Sequence, residues 1–175
     1  TDPVANFTCT NYTGTLATRL IMTWNAVASA NGYIILRSTS ADPTGLPVDA
    51  TSYNPDDVLG NGVVAKVIPS GSLTIWTNDS LTADTRYYYK IFPFGYDGSH
   101  AATYNYKTNG TPGSDNTWTI GAAPGGTPTL SVVTTNSTTA VITWVKGASS
   151  AYTILVMSSN SATITDPADR ATYSA

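Results

Sequence analysis

The chain repeats part of its own sequence at a constant offset of 120 residues. This shift carries Trp24, in the segment LIMTWN, onto Trp144, in the segment AVITWV. It also carries Tyr53, in the loop after the next apolar run, onto Tyr173. A repeat that keeps one offset through apolar runs and loops is typical of tandem-array proteins rather than of enzymes. The sequence therefore predicts one whole module followed by the first half of a second copy.

The same offset sets the expected domain boundaries. Residues 1–120 form the complete module, whereas residues 128–175 supply only three strands of the second module and the loop that follows them. The segment 121–127, GAAPGGT, is rich in glycine and proline. Such a composition disfavours regular structure and marks a linker.

The chain carries little charge for a soluble protein. Charged residues make up 11% of the sequence and hydrophobic residues 41%, against roughly 25% charged residues in typical soluble domains. Threonine, serine and asparagine must therefore cover the surface, and threonine favours strands. A net charge of −3 without any basic run argues against a nucleic-acid partner. No apolar stretch has the length required to span a bilayer.

Short alternating runs, bounded by glycine, proline, asparagine and aspartate, indicate an all-β fold. We expect strands in the first module near residues 5–12, 18–25, 32–39, 62–69, 72–78, 85–96 and 103–110. Within the sixth run, one face carries Tyr87, Tyr89 and Ile91, and the other carries Tyr88, Lys90 and Phe92. Because Lys90 is better solvated in water, the Tyr87 face is predicted to form the core and the Phe92 face to point outward. Trp24 and Trp144 are assigned inward, since large aromatic side chains dominate the buried area of small domains.

These features together resemble a fibronectin type III module. Trp24 ends the second strand and Tyr33 opens the third, and the segment 81–91, LTADTRYYYKI, is similar to that family's tyrosine corner. The segments GYIILRST and PVDATSY are similar to fibronectin-like repeats of large secreted surface proteins in Bacteroidetes-type bacteria. The resemblance implies an all-β, immunoglobulin-like β-sandwich plus the first half of a second copy, with Tyr87 at the corner. The long segment before Val63 departs from the family pattern.

Several short motifs are candidate glycosylation sites. The asparagine sequons begin at Asn6, Asn11, Asn78, Asn109 and Asn136. Ser80, in Asp-Ser-Leu, resembles the O-glycosylation motif of Bacteroidetes. A chain rich in threonine and asparagine also produces such triplets by accident, so both interpretations stay open.

No residue pattern predicts catalysis, a cofactor or a metal. His100 stands alone in a glycine- and serine-rich loop, although a general base needs a nucleophile and an orienting partner. Given a short insertion before Arg19, Cys9 aligns with Val132 of the second copy, which favours a buried, small hydrophobic side chain over an exposed reactive thiol. The acidic residues at 56–57 and Asp97 lack the spacing of a calcium loop and suit turns instead. We therefore expect no enzymatic activity.

Four aromatic residues form a candidate platform for sugar rings, namely Trp76, Trp118, Tyr88 and Phe92. The competing interpretation is that these side chains pack against a neighbouring module or an edge loop. The sequence does not place them together.

A half module poses a physical problem, because a sandwich needs two sheets to bury its faces. The runs AVITW and TILVM would otherwise expose apolar surface and open edges. Three explanations stay open: the chain is cut, it is the ordered part of a longer array, or another chain supplies the strands.

We expect a non-catalytic extracellular structural or adhesive module, secreted or at the cell surface, as a filament subunit or part of a tandem-repeat stalk. Its partners would be copies of itself or further modules of the same chain. The alternative is a carbohydrate- or protein-binding accessory module of a larger secreted protein, with glycans as ligands.

Overall fold

The computed structural model describes residues 3–12, 18–122, 125–126, 128–148 and 154–157. The chain divides into two units, Thr1–Gly121 and Ala122–Ala175. The described strands are β1 Thr8–Asn11, β2 Leu20–Thr23, β3 Gly32–Ser38, β4 Val58–Leu59, β5 Gly62–Ile68, β6 Ile75–Asn78, β7 Arg86–Gly95, β8 Asn105–Tyr106, β9 Gly113–Trp118, β10 Thr129–Asn136 and β11 Thr139–Val145, with one 3-10 turn at Ala101–Thr103. Within these residues, no helix has the length and hydropathy of a membrane span.

The first unit is a sandwich of two antiparallel sheets. One sheet has the order β1-β2-β6, and the other has the order β4-β5-β3-β7-β8, with β9 also paired to β7. The predicted all-β sandwich is therefore confirmed. The predicted strand at 103–110 is mostly wrong, since only Asn105–Tyr106 pairs there, and β9 was not predicted at all. The segment GSDNTW of β9 has no apolar alternation, and backbone pairing to β7 holds it in place.

An inner core fills the space between the two sheets. Trp24 is 4% exposed and meets the Tyr33 ring edge-on, with 5.4 Å between the ring centroids. The same core holds the side chains that alternate inward along β7, namely Tyr87, Tyr89 and Ile91. The Tyr87 hydroxyl accepts a hydrogen bond from the Thr82 amide at 3.0 Å. This contact ties the start of β7 back to the backbone five residues upstream.

A second core lies on the outer face of the larger sheet. It contains Ile34, Leu36, Leu59, Val64, Phe92, Phe94 and Tyr106. Phe92 was predicted to point outward, and that prediction is wrong because the residue is fully buried. The long segment after β3 folds back over this face: the Tyr53 ring lies edge-on to Tyr106 with centroids 5.8 Å apart. The Tyr106 amide also donates to Asp49 Oδ1 at 2.7 Å.

Side chains close one side of the sandwich between β1 and β9. The Cys9 amide donates to Asp115 Oδ2 at 2.7 Å. The Asn11 side-chain amide donates to the Trp118 carbonyl, also at 2.7 Å. These bonds replace strand pairing where the two sheets meet.

The second unit, as far as it is described, is a hairpin of β10 and β11. Its register pairs Leu130 with Trp144 and Val132 with Ile142, which places these four side chains on one face. Trp144 was predicted to lie in a core, but it is 51% exposed. The physical reason is that the described residues of this unit contain a single two-stranded sheet. Residues 154–157, also exposed, have no regular structure. The repeat position Tyr173 lies outside the described residues.

Candidate functional site

The uncovered part of the outer sheet face forms a flat aromatic surface. The register of β7 and β9 places Arg86 opposite Trp118 and Tyr88 opposite Asn116, and we name these four residues the β7–β9 platform. Arg86 Nε donates to Asn116 Oδ1 at 2.9 Å, and its guanidinium carbon lies 5.0 Å from the centre of the Tyr88 ring. A cation at this distance from a ring face is attracted electrostatically. Trp118 is 54% exposed, so the platform is open to a partner.

The four aromatic residues predicted as a platform do not all meet. Tyr88 and Trp118 share the surface just described. Trp76 belongs to β6 of the other sheet and packs partly against the inner core. Phe92 is buried in the outer core, since the segment after β3 covers its part of the face. Only two of the four can contact one ligand on this surface.

A second aromatic feature lies at the loop end of the first unit. The rings of Tyr96 and Tyr104 stack with centroids 4.2 Å apart and planes 11° apart. Tyr104 continues the stack onto Tyr106, with centroids 5.6 Å apart. Beside the stack is a cavity of about 350 Å³ lined by Asn31, Pro69, Phe94, Tyr96, Asp97 and Gly98; we name it the tyrosine pocket. The sequence predicted a loop here but no site.

Asp97 organises the loop that borders the tyrosine pocket. Its Oδ1 accepts hydrogen bonds from the amides of Ser99 and His100, both at 2.8 Å. Its Oδ2 lies 2.8 Å from His100 Nδ1. The His100 amide and imidazole, followed by the Ser99 amide, hold the pKa of the Asp97 carboxyl well below its usual range. The carboxylate therefore stays ionised.

His100 lies at the protein surface, with its side chain 76% exposed. In the part of the chain that the structure describes, no hydroxyl or thiol bonds to its ring, and Asp97 is its polar contact. Among the same residues, no group of three or more His, Cys, Asp or Glu could hold a metal ion.

Cys9 is buried in the inner core, as its alignment with a valine predicted. Its Sγ lies 3.7 Å from Met22 Sδ. Burial, with a smaller effect from the Asp115 carboxylate, raises the pKa of the thiol to about 12. Because the reactive species is the thiolate, this thiol is chemically inert in the folded protein.

The structure separates the candidate glycosylation sites into two groups. Asn11 and Asn78 are buried, and each uses its amide nitrogen as a hydrogen-bond donor inside the fold. For these two sequons the structure favours the interpretation that the triplets arise by accident, because a glycan would replace that bond and need space in the core. The exposed candidates are Asn6, Ser80, Asn109 and Asn136. Asn136 is the last residue of β10, and its Oδ1 accepts a hydrogen bond from the Thr138 amide in the following turn at 2.9 Å.

A groove of about 450 Å³ opens at the end of β3 and β5. Its lining is Arg37, Ser38, Thr39, Ser40, Val58, Gly60, Asn61, Gly62, Val63 and Tyr87. The Arg37 guanidinium carbon lies 5.7 Å from the centre of the buried Tyr87 ring. The lining offers hydroxyls, the Asn61 amide and the Arg37 guanidinium, and its ring, Tyr87, is buried. Unlike the tyrosine pocket, it therefore combines no carboxylate with an accessible aromatic ring.

No family model and no curated protein matches the chain. Among solved structures, the chain is similar to one from a computer-based redesign of a β-sandwich protein, with 18% sequence identity and a TM-score of 0.44. That match covers 70% of this chain and 99% of the other. The function must therefore be inferred from the chain's own residues.

Proposed function

We propose that this chain is a non-catalytic structural or adhesive module of an extracellular array built from β-sandwich units. The observation that carries the proposal is a contrast between two tryptophans at the same repeat position. Trp24 is 4% exposed in the first unit, whereas Trp144 is 51% exposed on the described hairpin of the second. The hairpin therefore exposes an apolar face, whereas the corresponding segment around Trp24 is buried in the first unit.

The energetics favour covering this face. Leu130 and Val132 lie beside Trp144 and are each more than half exposed. Burial of a large apolar side chain contributes about 1.5–3 kcal/mol, and open strand edges offer unpaired backbone groups to a further strand. A β-sheet from a neighbouring module or a second copy supplies both the apolar cover and the hydrogen bonds.

Other features support an extracellular module related to fibronectin type III domains. The contact from the Thr82 amide to the Tyr87 hydroxyl is the one expected at that family's tyrosine corner. The low charge content suits a surface covered by threonine and asparagine, as in the Bacteroidetes-type repeats that the sequence resembles. Contacts between modules, rather than chemistry, would then carry the function in a filament or stalk.

The oligomeric state of the whole chain tests this proposal. Analytical ultracentrifugation over a concentration series should show self-association through the apolar face of the hairpin. We expect Trp144→Ser to weaken association by about tenfold or more, which corresponds to about 1.4 kcal/mol. Val133→Ser is the matched control, because Val133 is similarly exposed but lies on the opposite face. A chain that stays monomeric at every concentration, or equal effects of both variants, would contradict the proposal.

A second candidate function is ligand binding on the β7–β9 platform, as in an accessory module for carbohydrate or protein. The observation in its favour is that Tyr88 and Trp118 lie on one open face, with Arg86 over the Tyr88 ring. Glycan-array binding that is lost in Trp118→Ala but kept in Trp76→Ala would support this function. Equal loss in both variants would count against a site on this face.

A further inference from the structure

We propose that the tyrosine pocket binds a neutral pyranose sugar. The pocket combines an apolar floor, an aromatic wall and a polar rim. Phe94 is 1% exposed and forms the floor, and Tyr96 supplies the wall. Its volume of about 350 Å³ lies in the range of about 300–1,000 Å³ that is usual for small-ligand sites.

The stacked tyrosines fix the ring that a sugar would contact. Tyr104 covers one face of the Tyr96 ring and does not line the pocket. The pocket therefore reaches Tyr96 from a side that Tyr104 leaves free. The axial C–H groups of a pyranose form an apolar patch that packs on an aromatic ring, and a ring held by stacking loses little freedom when it binds.

The rim offers a donor and an acceptor for the sugar hydroxyls. Asn31 Oδ1 accepts a hydrogen bond from the Tyr96 amide at 3.0 Å, which sets the orientation of the side-chain amide. Its Nδ2 is then the donor side of the group. Asp97 lines the same pocket; its Oδ1 already accepts two amide hydrogen bonds, whereas its Oδ2, which contacts His100 Nδ1, keeps acceptor capacity for a sugar hydroxyl. Because each sugar hydroxyl both donates and accepts, this pairing suits a polyol better than a purely apolar ligand.

The loop at the pocket mouth is ordered before any ligand arrives. Asp97 is bonded to the amides of Ser99 and His100, and the Asp97 amide donates to Thr103 Oγ1 at 3.2 Å. Gly98 has a φ of +90°, and no atom lies within 4 Å of the place where its Cβ would be. Glycine therefore permits this conformation and leaves space at the mouth.

Charge restricts the ligand class to neutral sugars. The Asp97 carboxylate lies at the rim, and the chain has a net charge of −3. An acidic sugar would place its carboxylate near like charge, which is unfavourable. Sugar binding in the tyrosine pocket does not depend on the hairpin. If no sugar binds, the proposed array function is unaffected. If the hairpin does not self-associate, the sugar proposal is unaffected.

Titration of the whole chain with sugars tests the proposal. Two-dimensional NMR would measure changes in the protein's chemical shifts as each sugar is added. The neutral sugars are glucose, galactose, mannose and N-acetylglucosamine, and glucuronate is the acidic comparator. We expect dissociation constants on the order of millimolar for at least one neutral sugar, with shifts centred on Tyr96 and Gly98. Glucuronate should bind more weakly than glucose. Absence of binding by every neutral sugar, or tighter binding of glucuronate, would overturn the proposal.

Matched variants locate the site. Tyr96→Leu removes the ring and should weaken binding about tenfold or more, whereas Tyr96→Phe keeps the ring and should bind within about twofold of the parent chain. Asn31→Asp keeps the acceptor for the Tyr96 amide but removes the donor, so it should also weaken binding if Tyr96→Leu does not fold. Tyr12→Leu should bind as the parent chain does, because Tyr12 is an exposed aromatic residue that does not line the pocket. Loss of binding in Trp118→Ala alone would move the site to the β7–β9 platform and refute the pocket.

Discussion

The Asn78 side chain donates a hydrogen bond to the Tyr89 hydroxyl at 2.9 Å across the interior of the sandwich. Asn78 ends β6 of the three-stranded sheet, and Tyr89 lies in the middle of β7 of the larger sheet. Both residues are buried. Burial, the first of several causes, raises the pKa of the Tyr89 phenol, so the hydroxyl stays protonated and neutral while it accepts this bond. This bond ties the two sheets together by a polar contact.

Removal of this contact should destabilise the sandwich. We expect Asn78→Ala to lower the free energy of unfolding by about 1–3 kcal/mol, because it leaves a buried hydroxyl without a partner. Urea denaturation measures the change. In the double variant Asn78→Ala/Tyr89→Phe, both partners are gone, so the two losses should be less than additive. Strict additivity would show that the bond contributes nothing.

The outer core predicts a contrast between two aromatic residues on one face of the larger sheet. Phe92→Ala should cost about 3–5 kcal/mol of stability, as other truncations of buried phenylalanine do. Trp118→Ala should change stability by no more than about 0.5 kcal/mol, since its side chain is exposed and no buried network depends on it. Thermal and urea unfolding of the two variants measure this difference. A cost for Phe92→Ala as small as that for Trp118→Ala would mean that the outer core is not packed in solution.

Alternation along β7 separated the two faces of the strand correctly but could not show that both are covered. Tyr89 and Phe92 lie on opposite faces, and both are buried. Phe92 is covered by the irregular segment after β3 and by Tyr106 and its neighbours. Irregular segments have no hydrophobic period, so nothing in the sequence indicated that this one folds back over the sheet. The outward assignment of Phe92 failed for this reason.

The alternation of β7 was enough to place Tyr88 on the face opposite Tyr87, but the strand that completes the site could not be predicted from the sequence. Tyr88 and Trp118 lie on one face because β9 pairs with β7, but β9 lacks apolar alternation and was not recognised as a strand. The tyrosine pocket depends on how the Asp97 loop folds and stacks Tyr96 on Tyr104. Tertiary contacts bring these rings together, and no spacing in the sequence encodes that stack.

Burial should also decide which sequons can carry a glycan. If the chain is secreted from a host that glycosylates asparagine, the folded product should be unmodified at Asn11 and Asn78. The exposed Asn6, Asn109 and Asn136 remain accessible acceptors. Peptide mapping by mass spectrometry, with and without glycosidase, reads all of these sites in one sample. A glycan at Asn78 in a fraction with native thermal stability would contradict the buried hydrogen bond.

The Cys9 thiol should make the sandwich less stable at alkaline pH. The pKa of Cys9 rises from its ordinary value near 9 to about 12 on folding, so between these pH values the unfolded chain releases a proton that the folded chain keeps. The thiol's contribution to the free energy of unfolding is therefore fully present below about pH 9. It falls as the pH rises toward 12, by at most about 1.4 kcal/mol per pH unit. Cys9→Ala has no thiol to titrate. Between pH 8 and 10, its free energy of unfolding should therefore fall by about 1.4 kcal/mol less than that of the parent chain. Urea denaturation at both pH values measures the difference; parallel losses in the two proteins would show that the thiol titrates normally when folded.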